Sequence, residues 1–206
     1  RFYGLMADGL YQSNDFNVDG TLRPGLPVST YRSNVQPGDV KYVDLNGDGR
    51  IDANDCAYQL YAALPQIYYG FNIELEWRGF GLNAYFQGMG RSTVTTTLAS
   101  IYQPLYGNER NISEHYMENR WSPYNTSGHY PRLTTQSNAN NFAPSSLWTE
   151  CGDFLKLRTL SLSYKLPARL ASKIRMRECC LYLKGMNLFS ADRIDILDPE
   201  YINTGY

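Results

Sequence analysis

The clearest pattern along the chain is an alternation of apolar and polar side chains over residues 71–86. Phe71, Ile73, Leu75 and Trp77 share one parity; Asn72, Glu74, Glu76 and Arg78 share the other. Successive side chains of a strand point to opposite faces, so a period of two predicts an extended, two-faced strand. After Gly79 the alternation resumes, Phe80, Leu82, Ala84 and Phe86 standing against Gly81, Asn83, Tyr85 and Gln87. The two runs predict a tight hairpin turning at Arg78-Gly79. A third strand is expected over about 152–166, with Leu160, Leu162, Tyr164 and Leu166 on one face. Leu155 and Leu157 are out of phase with that set, which requires a change of buried face or a bulge. Residues 179–190 predict a fourth strand, Leu181 and Leu183 opposing Tyr182 and Lys184, after a Pro-led, basic connection over 167–177.

Elsewhere the pattern is looser. Residues 1–13 form a glycine-interrupted, aromatic-rich candidate strand, and 14–40 are a loop broken by Pro24, Pro27 and Pro37. Residues 91–150 hold Pro104, Pro123, Pro131 and Pro144 among many Asn, Ser and Thr. A structureless run of that length is rare in a compact domain. A short helix is therefore expected near 109–121, with packing through Tyr102, Tyr106, Tyr116, Trp121, Tyr130 and Trp148. No repeat unit is present, and the fold class is all-β.

Composition narrows this further. Among 206 residues there are 18 Tyr, 17 Gly and 10 Pro, yet only 19% are charged. That mix suits strands joined by long, ordered, Tyr-rich loops rather than a helical or disordered chain. A net charge of −1 provides no field to draw in nucleic acid or acidic lipid. No stretch approaches 18 uncharged apolar residues, which excludes a membrane-spanning helix. A membrane β-barrel stays open, because its alternating strands average out as moderately polar. The chain opens on Arg1-Phe2 with no initiator Met or leader pattern and stops at Gly205-Tyr206, so an excised piece is expected. Cys56, Cys151, Cys179 and Cys180 show no metal-ligand spacing. They read as small apolar fillers, with a long-range disulfide left open.

One motif carries chemistry. Residues 44–55 run Asp-Leu-Asn-Gly-Asp-Gly-Arg-Ile-Asp-Ala-Asn-Asp, matching the calcium-loop template D-x-[DN]-x-[DN]-G with an acid at position 12. Asp44, Asn46 and Asp48 would supply side-chain oxygens, Arg50 its carbonyl, Asp52 a direct or water-mediated contact, and Asp55 the closing carboxylate. Gly49 sits where the sharp turn requires positive φ. Position 12 is Asp rather than the longer Glu, and the flanks resemble strand and loop rather than the paired helices of an EF-hand. A metal-free Asn/Asp/Gly turn is the competing reading.

Other candidate chemistry falls away. His115 and His129 have no third ligand for zinc, Gly88-Met89-Gly90 lacks the third glycine of a dinucleotide loop, and no nucleophile–base set occurs. Glu74 and Glu76 fit a solvated strand face better than an acid–base pair. The chain is not expected to be an enzyme.

The order of these pieces resembles a known family. Gly38-Asp39-Val40-Lys41-Tyr42-Val43-Asp44-Leu45-Asn46-Gly47-Asp48-Gly49 is similar to its stretch G-D-[IV]-K-Y-x-D-x-N-G-D-G. Tyr69-Gly70-Phe71-Asn72, Trp77-Arg78-Gly79-Phe80-Gly81-Leu82 and Phe86-Gln87-Gly88 resemble the hairpin that follows. Arg120-Trp121-Ser122-Pro123 and Tyr130-Pro131-Arg132-Leu133 fit its long loop. Phe154-Leu155-Lys156-Leu157-Arg158, Tyr164-Lys165-Leu166-Pro167, Gly185-Met186-Asn187-Leu188-Phe189 and Asp198-Pro199-Glu200 fit its closing part. Over about residues 2–200 the chain resembles the C-terminal part of SusC/RagA-type TonB-dependent outer-membrane receptors.

That resemblance implies antiparallel strands of a C-terminal transmembrane β-barrel segment with long extracellular loops, residues 1–206 lacking the plug and the final strand. It implies import of oligosaccharides or peptides with a SusD-like lipoprotein and energy from the TonB complex, the fragment alone being inactive in transport. Phe71, Ile73, Leu75, Trp77, Leu82, Ala84 and Phe86 would face outer-membrane lipid, and Asn72, Glu74, Glu76 and Asn83 the lumen. An isolated fragment would have to cover that apolar row by detergent, self-association or a refolded packing. The alternative is a calcium-stabilised extracellular β-domain binding carbohydrate through loop aromatics, with Tyr106, Trp121 and Tyr124 as stacking candidates.

Overall fold

The computed structural model describes residues 1–96, 111–194 and 197–200. Among them the strands run, in order, β1 (Phe2–Leu5), β2 (Ala7–Leu10), β3 (Val28–Ser29), β4 (Val40–Tyr42), β5 (Arg50–Ile51) and β6 (Cys56–Gln59). There follow β7 (Ile67–Trp77), β8 (Phe80–Gly90), β9 (Thr93–Thr95), β10 (Thr149–Cys151), β11 (Phe154–Lys165) and β12 (Cys180–Ala191). Helix α1 (Glu114–Asn119) precedes β10, and α2 (Ala168–Lys173) lies between β11 and β12. The all-β expectation holds, and no helix among the described residues is long and apolar enough to cross a membrane.

The chain divides into two compact units. The first, a loop unit, takes Arg1–Ala63 and Thr93–Glu150. Its strands are short and pair in twos: β1 with β6, β2 with β4, and β3 with β5, the last pair parallel. Leu5, Leu10, Val40, Tyr42, Ile51, Trp121 and Ala143 form one buried cluster, and Tyr11, Phe16 and Val35 another. Burial pushes the Tyr11 phenol up to about 12, with the Asp15 and Asp39 carboxylates adding to the shift. Residues 1–13 do not make one long strand. They break at Met6, and the two halves pair separately with β6 and β4. Gly4 also takes the Pro144 carbonyl so closely that a Cβ would lie 2.5 Å from its oxygen.

The helix expected over 109–121 is shorter. Ser113 Oγ accepts the Tyr116 amide at 3.2 Å to start α1, and the chain turns extended again at Arg120. Tyr116, Tyr130 and Trp148 stack in series, with centroids 5.0 and 5.9 Å apart. Tyr102 and Tyr106 lie outside the described residues.

The second unit, Leu64–Ser92 with Cys151–Glu200, is a four-stranded antiparallel sheet in the order β12-β11-β8-β7. Arg78 and Gly79 close β7 onto β8 with φ of 48° and 90°. Two consecutive left-handed residues make the turn whose twist matches that of the strands it joins. Glycine adopts that backbone freely, and a Cβ at Gly79 would lie 2.9 Å from the Lys165 carbonyl oxygen. The 167–177 connection holds α2, where the pattern showed only a basic linker.

Candidate functional site: a two-faced sheet and an ordered loop unit

Register turns the alternation into two surfaces. Trp77, Phe80, Tyr164 and Leu181 form one row across the sheet; Leu75, Leu82, Leu162 and Leu183 form the next. Ile73, Ala84, Leu160 and Gly185 follow, then Phe71, Phe86, Leu157 and Phe189. Aromatic rows thus bound two aliphatic ones. The sheet's register shifts between Leu157 and Thr159, leaving Arg158 as the extra residue against β8. That bulge brings Leu155 and Leu157 onto the same face as Leu160, Leu162 and Tyr164. Tyr69 lies over Gly88, its hydroxyl donating to the Phe154 carbonyl at 2.8 Å. Among the described residues nothing in this unit covers the row ends: Trp77 is 67% and Leu183 72% exposed.

The opposite face is polar. Glu74 accepts from Asn83 at 2.6 Å and from Asn72 at 3.0 Å. Arg158 donates through Nε to Gln87 at 3.1 Å, through Nη1 to Asn187 at 3.2 Å, and through Nη2 to Glu200. The Lys156 ammonium bridges Asp198 at 2.6 Å and Glu200 at 3.1 Å. The Lys156 hydrogen bond holds Asp198 below the usual carboxylate range, and the Arg158 hydrogen bond does the same for Glu200. The residues of Phe-Leu-Lys-Leu-Arg and Asp-Pro-Glu, far apart in sequence, form one ion network.

In the loop unit the calcium-type loop is built from side chains folded onto their own backbone. Asp44 accepts the Gly47 and Gly49 amides at 2.7 and 2.8 Å, and Asn46 accepts Asp48 N at 2.9 Å. Asp48 and Asp52 cap Arg50 N and Asn54 N at 2.8 and 2.7 Å. The wholly buried Asp55 accepts Leu45 N at 2.9 Å and Asp52 N at 2.8 Å. Gly49 takes φ of 79°, as the motif requires. The flanks are β4 and β6, not helices. Among the described residues no three His, Cys, Asp or Glu side chains are placed to hold a metal. The donor set is all oxygen and suits a hard cation, since a carboxylate oxygen that accepts one amide keeps a lone pair.

The aromatic candidates separate. Trp121 is buried: Gly38 packs so closely that a Cβ there would lie 2.4 Å from the indole, and Nε1 donates to Gln12 at 3.2 Å. Its ring is a packing element and no stacking platform. Tyr124 is fully exposed, at the tip of the turn closed by Ser122 and Asn125. Tyr106 lies outside the described residues.

Sequence reasoning missed a buried polar seam. Asp39, wholly buried, accepts from Arg132 Nε at 2.8 Å, Asn138 at 3.1 Å, Asn141 at 3.0 Å and the Gln36 amide at 2.9 Å. Asn141 accepts Val40 N at 2.9 Å, and Asn140 donates to the Val40 carbonyl at 2.8 Å. Asn138-Ala-Asn-Asn looks like solvated loop. Its only signal is several amides close together beside Pro131-Arg132.

Antiparallel strands of 11 and 12 residues, apolar on one face and polar on the other, have the length and patterning of a transmembrane β-barrel segment. No protein-family model matches the chain. It is 29% identical over 200 residues to TonB-dependent receptor P3 of Formosa agariphila, covering 97% of this chain and 18% of the relative. It is 30% identical over 180 residues to TonB-dependent receptor P26 of the same organism, covering 87% of this chain and 18% of that protein. Among solved structures, the RagAB peptide transporter superposes with a TM-score of 0.61 at 18% identity, over 96% of this chain and 19% of that one. The RagAB peptide importer in its closed-closed state gives 0.55 at 17%, over 94% and 20%. The chain is accordingly similar over nearly its whole length to TonB-dependent receptors and shares the fold of RagAB, and it spans about a fifth of the length of the proteins it matches.

Proposed function

We propose that this chain forms part of an outer-membrane receptor that imports oligosaccharides or peptides, with a SusD-like lipoprotein as partner and the TonB complex as energy source. The observation that carries this is the uncovered apolar face, in register over four strands and bounded by aromatic rows. Hydrocarbon covers such a face, and aromatic rings favour its two polar boundaries. The face of Glu74, Asn83 and Arg158 then lines the lumen. Segments 1–66 and 91–153 both join the sheet at its Ile67, Gly90 and Phe154 end, which is the extracellular end if the two-residue turn is periplasmic. The peptide-transporter neighbours favour peptides among the two substrate classes.

Spin labels at Leu75 and at Asn83 of the receptor in its membrane test this reading. The Leu75 label should be relaxed by a lipid-soluble agent and the Asn83 label by a water-soluble one. The reverse order, or two buried labels, overturns it.

We further propose that loop 44–55 takes Ca²⁺, held by Asp44, Asn46, Asp48, Asp52 and Asp55 side chains and the Arg50 carbonyl. The ion would supply charge neutralisation to a loop with four carboxylates and one arginine. Titration calorimetry with CaCl₂ should give heat that Asp44→Ala abolishes, and chelation should lower the melting temperature. Neither effect in the wild-type chain sinks the reading.

A further inference from the structure

Arg132 belongs to the Tyr-Pro-Arg-Leu stretch, and its charge has a geometry that the ion pair with Asp39 does not use up. Its Nε donates to Asp39 Oδ1 at 2.8 Å, and its backbone N donates to the Gly38 carbonyl at 2.8 Å. Asp39 is itself pinned by two asparagines and a backbone amide. The guanidinium plane is therefore fixed by a wholly buried carboxylate. A guanidinium carries five N–H donors in a rigid fork. Only the Nε donor has an acceptor among the described residues, so Nη1 and Nη2 have none.

Arg132 also lines a cavity of about 430 Å³ within the loop unit, together with Gln36, Leu133, Thr134, Thr135 and Gln136. The Gln36 and Thr135 side chains make no hydrogen bond among the described residues. Thr134 accepts the Gln136 amide at 3.1 Å and keeps its own hydroxyl proton to donate. Arg32 reaches the same wall, its Nη2 donating to Gln136 Oε1 at 3.3 Å, and it has no acidic partner among the described residues. Among the described residues no carboxylate lines the cavity. Arg132, Gln36, Thr134 and Thr135 thus bring donors without acceptors among the described residues to one hollow, with the Arg32 charge behind its wall.

We propose that this cavity is a subsite for a carboxylate of the transported ligand, received bidentate by Arg132 Nη1 and Nη2 and supported by Gln36 and Thr135. The inference rests on the receptor reading and names the chemistry its ligand must carry. Paired N–H···O bonds from a guanidinium to a carboxylate are charge-assisted and directional. Because Asp39 already orients the fork, little ordering is required on binding. Asp39 also balances the charge of Arg132, so a singly charged carboxylate suits the site better than a doubly charged phosphate. A uronic acid and the C-terminus of a peptide present the same group.

The test uses the intact receptor in detergent and two matched pairs of probes in calorimetry. One pair is trigalacturonate and its neutral galactose trimer; the other is tetra-alanine with a free and with an amidated C-terminus. In at least one pair the charged member should bind tenfold or more tightly, and the pair showing this identifies the source of the carboxylate. Arg132→Lys should abolish the preference. Gln36→Ala with Thr135→Val, both exposed positions, should cut it several-fold at an unchanged melting temperature, which guards against a folding defect at Arg132. Absence of a preference in both pairs, or a preference that survives both variants, overturns the proposal. Inorganic phosphate competing at least as well as acetate overturns the choice of carboxylate. The spin-label result reports on the receptor reading by itself, so the two failures are distinguishable.

Discussion

Lys156 Nζ lies 2.6 Å from Asp198 Oδ1, joining the start of β11 to the segment after β12 on the polar face of the sheet. The lysine side chain is 7% exposed and the aspartate side chain 63% exposed, so the two ends of this bond stand in different solvents.

That asymmetry sets the order of two variants. Lys156→Met leaves Asp198 and Glu200 facing water, at a cost of about 1 kcal/mol. Asp198→Asn with Glu200→Gln leaves an enclosed ammonium without a counter-charge, at a cost of about 3 kcal/mol. Thermal unfolding of the receptor, followed by gel mobility, should rank the double variant below Lys156→Met.

The same network makes the 197–200 segment acid-sensitive. Both carboxylates are held below their ordinary pKa in the folded chain, so their contribution is complete above the unfolded value. It is lost as pH falls from about 4 through the lowered folded values. Hydrogen exchange should show a protected Glu200 amide, which donates to Asp198 at 2.9 Å, at neutral pH and progressive loss of that protection in acid, with Lys156→Met less protected throughout.

Arginine placed on the apolar face should be costly and on the polar face nearly neutral. Leu162→Arg, in a central aliphatic row, should destabilise by about 2–4 kcal/mol, whereas Asn83→Arg should change stability by under about 0.5 kcal/mol. Equilibrium folding into lipid vesicles measures both.

Gly79→Ala should weaken the β7–β8 turn. The left-handed backbone costs an L-residue about 1–2 kcal/mol, before the close approach to the Lys165 carbonyl is counted. Unfolding should be faster in this variant, and Gly79→Asn should recover part of the loss.

Trp121 and Tyr124, three residues apart, should respond in opposite ways. Trp121→Ala opens a cavity above Gly38 and should cost about 3–5 kcal/mol. Tyr124→Ala should leave stability unchanged, because its ring is fully exposed. Protease resistance of the loop unit separates the two.

The sheet was legible in the sequence because a two-sided strand writes its environment into every second residue. The 71–86 hairpin, its faces and its turn follow from parity and one glycine. The Leu155/Leu157 phase break signalled an irregularity, and register located it at Arg158. The loop unit was less legible, since its order comes from pairings across about a hundred residues. Asn140 and Asn141 look like surface amides until Val40 and Asp39 are set beside them. Residues 1–13 had strand character but nothing to indicate partners as short as β4 and β6. By sequence Trp121 suits either packing or stacking, because an aromatic in a Pro-rich loop carries no sign of whether a glycine will pack on it.

The pairing of β8 with β11 bears on how the molecule assembles. β7 and β8 are joined by two residues, and β11 and β12 by a connection holding one short helix, so both pairings are local compared with that of β8 and β11. Uniting the two hairpins requires the ends of residues 91–153 to meet, a closure whose entropic cost grows only slowly with the length of the segment. Completing the sheet is therefore the non-local step, and the two hairpins are the local ones.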